Sequence, residues 1–233
     1  MIRRLATGAV ALAGLAAQSG RGNEPCAGID RTLAELTNVV VHEKIDRYCR
    51  AHGRVKKLDT FDATVEILDG TEQYSEVRRK DQLFPGVLQV GGLWSFGEIA
   101  TLLRTTGDAL RERADQADAL QFRFPAASRR WFVTVDSRVY WLDFEGEAWI
   151  SRGTGEVHRI CWISAPLPVN SGVDRVHWTV DFQTVDIAGR TFNVPEEAVY
   201  QVTHPGGDRT EWNLTRFSDY ARYGSSVSLS FGP

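Results

Sequence analysis

The chain is poor in the residues that staple or stiffen small proteins. It has 3 cysteines, 8 prolines and 1 methionine in 233 residues. Three cysteines are too few for a disulfide scaffold. Once the N-terminus is set aside, no run of 18 or more apolar residues remains, so no membrane-spanning helix is expected. Basic residues are not in excess: 27 Lys+Arg stand against 30 Asp+Glu, a formal net charge of −3. Non-specific nucleic-acid binding needs a basic surface, which this balance does not provide. No sequence repeat of 20–50 residues is visible, which argues against a propeller or a solenoid. What is present is 42% hydrophobic and 24% charged residues, the balance of a folded globular protein. The length fits one β-rich domain or, less comfortably, two small ones.

Residues 1–19 have the layout of an export signal. Met1-Ile2-Arg3-Arg4 is a short basic segment, and Leu5 to Ala17 is an Ala/Leu/Gly/Val core. Ala17-Gln18-Ser19 places small residues at −3 and −1 of a cut before Gly20, and a cut one to three residues earlier fits nearly as well. A buried N-terminal helix is the competing reading, but Ala-Gly composition is poor core filler. Removing 1–19 takes away Arg3 and Arg4 and no acid, which moves the net charge from −3 to −5. Cys26 lies in Glu24-Pro25-Cys26-Ala27, without the flanks of a lipid-anchored cysteine. The expectation is an exported protein, periplasmic or extracellular. In an oxidising compartment Cys26 and Cys49 can pair; three unpaired buried thiols are the alternative. Cys161, in Ile160-Cys161-Trp162-Ile163, reads as a buried apolar cysteine.

Residues 20–29 read as a flexible lead-in and 30–233 as a single domain. Asp30 can cap a short helix, with Leu33 and Leu36 one turn apart. Asn38 to Arg50 is ambiguous: Val39, Val41 and Ile45 alternate with His42, Lys44 and Asp46, which favours a strand, while Glu43 and Arg47 weaken that reading and leave a continued helix as the alternative. Phe61 to Leu68, Asp69-Gly70 and Gln73 to Lys80 form a hairpin pattern. Ser95 and Glu98 make a capping box, with Trp94 and Ile99 placed for a hydrophobic staple. Ile99, Leu102 and Leu103 then form an apolar helical stripe. Asp108 to Ala119 is richly charged, either a second helix or an exposed excursion.

From Leu120 to Phe231 nearly everything reads as strand. Arg138 to Phe144 and Glu147 to Ser151 flank a turn at Glu145-Gly146. Val176, Trp178, Val180 and Phe182 alternate with His177, Thr179, Asp181 and Gln183, so a one-residue slip would expose four large apolar groups. Ala188-Gly189 is a turn, Pro195 ends the segment Thr191 to Val194, and Ser226 to Phe231 closes the series. Strand after strand with short turns implies antiparallel pairing. The expected fold class is α+β, mainly β: a curved antiparallel sheet, an incomplete barrel, with a few helices covering its concave face.

Motifs for chemistry are scarce. His42-Glu43-Lys44-Ile45-Asp46 matches part of His-Glu-x-x-His, but Asp46 replaces the second imidazole and no third ligand is evident, so no metal is expected. His158 and Cys161 are an odd number apart on a strand and face opposite ways. His177 and Asp181 share a face but lie roughly 13 Å apart at about 3.3 Å per residue. No Gly-x-Ser-x-Gly elbow and no phosphate-binding loop is present. An anion could sit where Gly91-Gly92 leads into the helix at Ser95, although a flexible turn explains the glycines better. No catalytic residue and no cofactor is expected.

Aromatic content stands out instead, with 7 Trp in the chain. Trp131, Trp141, Trp149, Trp162, Trp178 and Trp212 all fall in predicted strands. A filled sheet core is the plain reading. The functional one is a cavity between sheet and helix, lined by Trp94, Ile99, Leu102, Leu103, Trp141, Trp149, Trp162 and Trp178.

This organisation resembles exported bacterial proteins of the outer-membrane lipoprotein carrier (LolA-like) superfamily. Trp149-Ile150-Ser151-Arg152-Gly153-Thr154-Gly155-Glu156-Val157-His158-Arg159-Ile160 is similar to that superfamily's strand–turn–strand segment, broadly WIDP-x-TG-x-x-x-R. Ser151 and Arg152 stand where Asp-Pro is common. Phe192-x-Val194-Pro195 and Phe217-x-x-Tyr220 with Phe231 resemble further segments of the group. The likeness spans residues 30–231 and transfers no ligand-binding motif. It implies a hydrophobic cavity for acyl chains and no enzymatic activity. The expected protein is a carrier or binder of a lipid, a lipid-modified protein or another apolar ligand in the cell envelope, with neither nucleic acid nor a membrane span involved. The alternatives are a structural or interaction protein with a filled core, and a hydrolase whose site no motif reveals.

Overall fold

The structure, a computed structural model, describes residues 5–6, 24–36, 39–68, 71–84, 99, 103–106, 119–124, 132–151 and 154–222. After β1 (Leu5–Ala6) and the helix α1 (Glu24–Glu35) come β2 (Val39–Ala51), β3 (Arg54–Leu68), β4 (Thr71–Arg79) and β5 (Gln82–Leu83). Then follow β6 (Ala119–Phe124), β7 (Phe132–Val135), β8 (Arg138–Trp141), β9 (Phe144–Ile150) and β10 (Val157–Ser164). The last three strands are the long β11 (Arg175–Ile187), β12 (Arg190–Thr203) and β13 (Arg209–Arg222). Ten strands form one antiparallel sheet in the order β5-β4-β3-β2-β13-β12-β11-β10-β9-β6. Its two ends, β5 and β6, do not meet, so the sheet is open. A second sheet holds β1, β7 and β8.

Local turn chemistry explains most of this order. Ala51 pairs with Arg54 across His52 and Gly53, whose φ angles are +50° and +73°. Ile187 pairs with Arg190 across Ala188 and Gly189, at +53° and +75°. Two successive positive φ values make the turn whose twist matches that of the flanking strands, and glycine adopts them without strain. Pairing of β13 with β2 is not local: it joins the two halves of the chain into one sheet.

One open stretch is resolved toward strand, and several other expectations need correction. The ambiguous stretch from Asn38 is strand, because Val39, Val41 and Ile45 all bury on one face that a helix would have scattered. β3 starts at Arg54, seven residues before the apolar run that signals it. Glu145 and Gly146 lie inside β9, and the break between β8 and β9 falls at Leu142-Asp143 instead. Pro195 does not stop its segment. It sits within β12 where the register slips between Asp181 and Phe182, and a bulge tolerates a residue with no amide donor. α1 begins at Glu24, inside the presumed lead-in, and carries Asp30 in its middle rather than at its cap. Asp69-Gly70 lies outside the described residues, but Leu68 and Thr71 pair on either side of it. The segments 91–98, 108–118 and 223–233 also lie outside them.

The register defines two faces. Val176, Trp178, Val180 and Phe182 are buried on one, while His177, Thr179, Asp181 and Gln183 are half-buried on the other, as the alternation requires. α1 packs against β10 and β12. A Cβ at Gly28 would lie 1.6 Å from the Gly155 carbonyl oxygen, so helix and β9–β10 connection touch backbone to backbone. Arg31 adds a hydrogen bond to the Thr154 carbonyl at 3.1 Å. In a free helix Ala would gain about 1 kcal/mol over Gly. Here the clash is with rigid backbone and wins: Gly28→Ala should lower stability by about 1–3 kcal/mol, read from the denaturant midpoint.

The face opposite Trp178 carries a cross-strand row that is charged throughout. By register it runs Arg159, Asp181, Glu197, Arg216, Lys44, Asp62, Arg78 across seven strands. Arg159 grips Asp181 with two donors, one at 2.9 Å, and Arg216 Nε reaches Glu197 at 3.2 Å. Asp46, two residues beyond Lys44 on β2, takes Lys57 Nζ at 2.6 Å and the Thr60 hydroxyl at 2.8 Å. Burial pushes the Asp46 carboxyl up, but those hydrogen bonds and the nearby ammonium charge outweigh it and hold it below its ordinary value.

Candidate functional site

Four of the residues expected to line a cavity come together. Ile99, Leu103, Trp162 and Trp178 belong to one buried cluster, at 0%, 0%, 0% and 1% exposure. Trp162 and Trp178 are register partners on β10 and β11, so their side chains rise side by side. Phe144 packs against both, with ring centroids 5.7 and 5.6 Å away, and Tyr200 lies 5.3 Å from Trp178. The Trp162 indole N–H donates to the Thr106 hydroxyl at 3.1 Å, which ties the helical stretch 103–106 to the sheet. Sequence periodicity pointed to Ile99 and Leu103, but nothing local marked Thr106.

The other expected residues lie elsewhere. Trp149 is the register partner of Arg159, on the charged side of the sheet. Trp141 belongs to the small sheet, where it packs against Phe132 at 4.9 Å. Trp94 and Leu102 lie outside the described residues, as do Ser95 and Glu98. Cys49 and Cys161 are free thiols, and the Cys26 side chain lies outside the described residues. Cys49 sits near the hairpin end of β2, paired with Lys56 and Glu211, whereas α1 docks on β10 and β12. Cys161 is half-buried rather than buried, 3.5 Å from the Thr179 hydroxyl, and burial pushes its thiol up.

The packed face changes character from strand to strand. One row reads Trp162, Trp178, Tyr200, Asn213, Arg47, Asp59 from β10 to β3. It is aromatic on three strands and polar on the next three. At its polar end Asp59, only 4% exposed, accepts from Arg79 at 2.7 and 3.2 Å, with Arg47 at 3.5 Å. A strand pattern alone does not say which face a charged residue takes, so the sequence did not mark these charges as part of the packed face. Beside Phe144 a pocket of about 260 Å³ is lined by Asp143, Glu145, Ser164, Ala165, Pro166 and Arg175. Its walls are charged and half-open, unlike the apolar cavity expected. Among the described residues no group of three or more His, Cys, Asp and Glu side chains could hold a metal ion. No helix among them is long and apolar enough to cross a membrane.

Fold and site together define a mostly β protein with a large open antiparallel sheet and few helices. No family model matches the chain, and no curated protein matches it. Among solved structures it is similar to a DUF1329 family protein from Desulfovibrio piger. The two share 13% identity over 87% of this chain and 94% of that one, with a TM-score of 0.34.

Proposed function

We propose that this is an exported carrier or binder of a lipid, a lipid-modified protein or another apolar ligand in the cell envelope. The observation that carries the reading is the junction of helix and sheet. Ile99 and Leu103 are buried in one cluster with Trp162, Trp178 and Phe144, and the Trp162 indole donates a hydrogen bond to Thr106 on the same stretch. Moving that stretch aside would uncover Trp162, Trp178 and Phe144 as a wall for an acyl chain, at the cost of the Trp162–Thr106 hydrogen bond and the packing around it. The resemblance to the lipoprotein carriers and the export-type N-terminus support the same reading. No chemistry is asked of the packed face.

A second reading is a structural or interaction protein of the envelope with a filled core. Near-complete burial of Trp162 and Trp178 favours it. Titration with a fluorescent fatty acid separates the two. A carrier binds the probe saturably, and Thr106→Val, which keeps the shape but removes the acceptor, raises its affinity several-fold. No binding at high protein concentration, with no lipid retained in native mass spectrometry, leaves the filled-core reading.

A further inference from the structure

A cluster on the charged side of the sheet stands apart from this core. His42 lies on β2, Asp62 on β3 and Ser218 on β13, three adjacent strands. His42 Nε2 is 2.6 Å from Asp62 Oδ1, and His42 Nδ1 is 3.3 Å from Ser218 Oγ. We propose that Ser218, His42 and Asp62 form a nucleophilic serine site that cleaves small esters. This proposal uses none of the residues of the carrier reading, and each can fail alone.

The chemistry needs a carboxylate on one imidazole nitrogen and a hydroxyl on the other. With its proton on Nε2, donated to Asp62, a neutral His42 turns the Nδ1 lone pair toward Ser218. Asp62 fixes that tautomer and stabilises the imidazolium formed when the hydroxyl proton is taken. Ser218 sits where the β13–β2 register slips between Ser218 and Ala221, and Asp219 beside it has φ +55°. The slip breaks the regular ladder at the nucleophile and leaves Ser218 exposed to solvent. Ser218 also donates to Asp219 Oδ2 at 3.1 Å, so its one proton has two acceptors, and the reactive rotamer is the one facing His42. Lys44, in register with Asp62 and Arg216, adds positive charge to the same face of the sheet.

In the reaction Ser218 Oγ attacks the ester carbonyl carbon while its proton passes to His42 Nδ1. The bond to the alkoxy oxygen breaks, and the alcohol leaves with that proton. Water then attacks the acyl-serine and gives a proton to His42. The acid departs as Ser218 takes that proton back. Water is the only co-reactant.

The full chain is incubated with a fluorophosphonate probe, and adducts are mapped by peptide mass spectrometry. A single adduct on Ser218 is expected, absent in Ser218→Ala. It should form about 100-fold more slowly in His42→Gln, the scale of a lost general base, and more slowly in Asp62→Asn. All three groups are at least partly exposed, so thermal midpoints should stay near that of the parent. No adduct on Ser218 in the folded chain, or an unchanged rate in His42→Gln, overturns the proposal.

Discussion

Trp178→Ala is expected to destabilise the protein by about 3–5 kcal/mol, the range for deleting a buried aromatic side chain. Trp178 is 1% exposed and stands near the middle of the sheet's packed face. Its ring contacts Phe144 and Tyr200, and its register partners are Trp162 and Tyr200. The three rings around it, Phe144, Trp162 and Tyr200, cannot collapse into the space an indole leaves, so the cavity persists. His177→Ala is the control. His177 faces the other way and is half-buried, enough for burial to hold its imidazole below the ordinary value. Its loss should cost a small fraction of the Trp178 effect. Denaturant midpoints of the two variants measure this, and a reversed order would mean that the register of β11 is wrong by one residue.

Asn193→Leu should cost a comparable amount, through hydrogen bonds rather than volume. The β10–β11 ladder begins at Arg159, so it does not reach Val157. The Asn193 side chain takes up that duty. Its Oδ1 accepts from the Val157 amide at 3.0 Å, and its Nδ2 donates to the Val157 carbonyl at 3.1 Å. The same Oδ1 accepts from the Thr32 hydroxyl at 2.9 Å, and the Asn193 amide donates to Glu35 at 2.8 Å. One side chain therefore ties α1 to β10 and β12. Leucine has the volume but no polar atom, and leaves Val157 and Thr32 with buried groups unpaired, at about 1–3 kcal/mol each. Asn193→Asp keeps the acceptor and loses the donor, and should fall between parent and leucine variant. Thermal midpoints, with hydrogen exchange at the Val157 amide, test the order. An unchanged Val157 amide in the leucine variant would show that the hub is not what holds that strand.

Much of this architecture is legible one segment at a time. Alternation from Val176 to Gln183 assigned both faces of β11 correctly, because a period of two leaves only two choices and four large apolar groups on one side decide between them. Ala188-Gly189 announced its turn, since few residues accept positive φ. His52-Gly53 carries the same signal, but the charged strand that follows hides it. Lys56 and Lys57 look like loop residues until their pairing with Cys49 and Tyr48 is known.

What residue order determined alone is the class: strands too short-turned for parallel crossovers, apolar faces too regular for disorder, and too few cysteines for a stapled scaffold. Strand neighbourhood was decided only in three dimensions. That β13 returns beside β2 follows from long-range pairing, which no local propensity encodes. The same pairing carries Ser218 to His42, 176 positions apart in sequence. It also aligns Asn213 with Arg47, whose neighbour Asp59 joins them in one row. The bulge that admits Pro195, and the contact of Gly28 with Gly155, arise in the same way. A proline or a glycine states what its own backbone permits, while the partner strand or helix decides whether that permission is used.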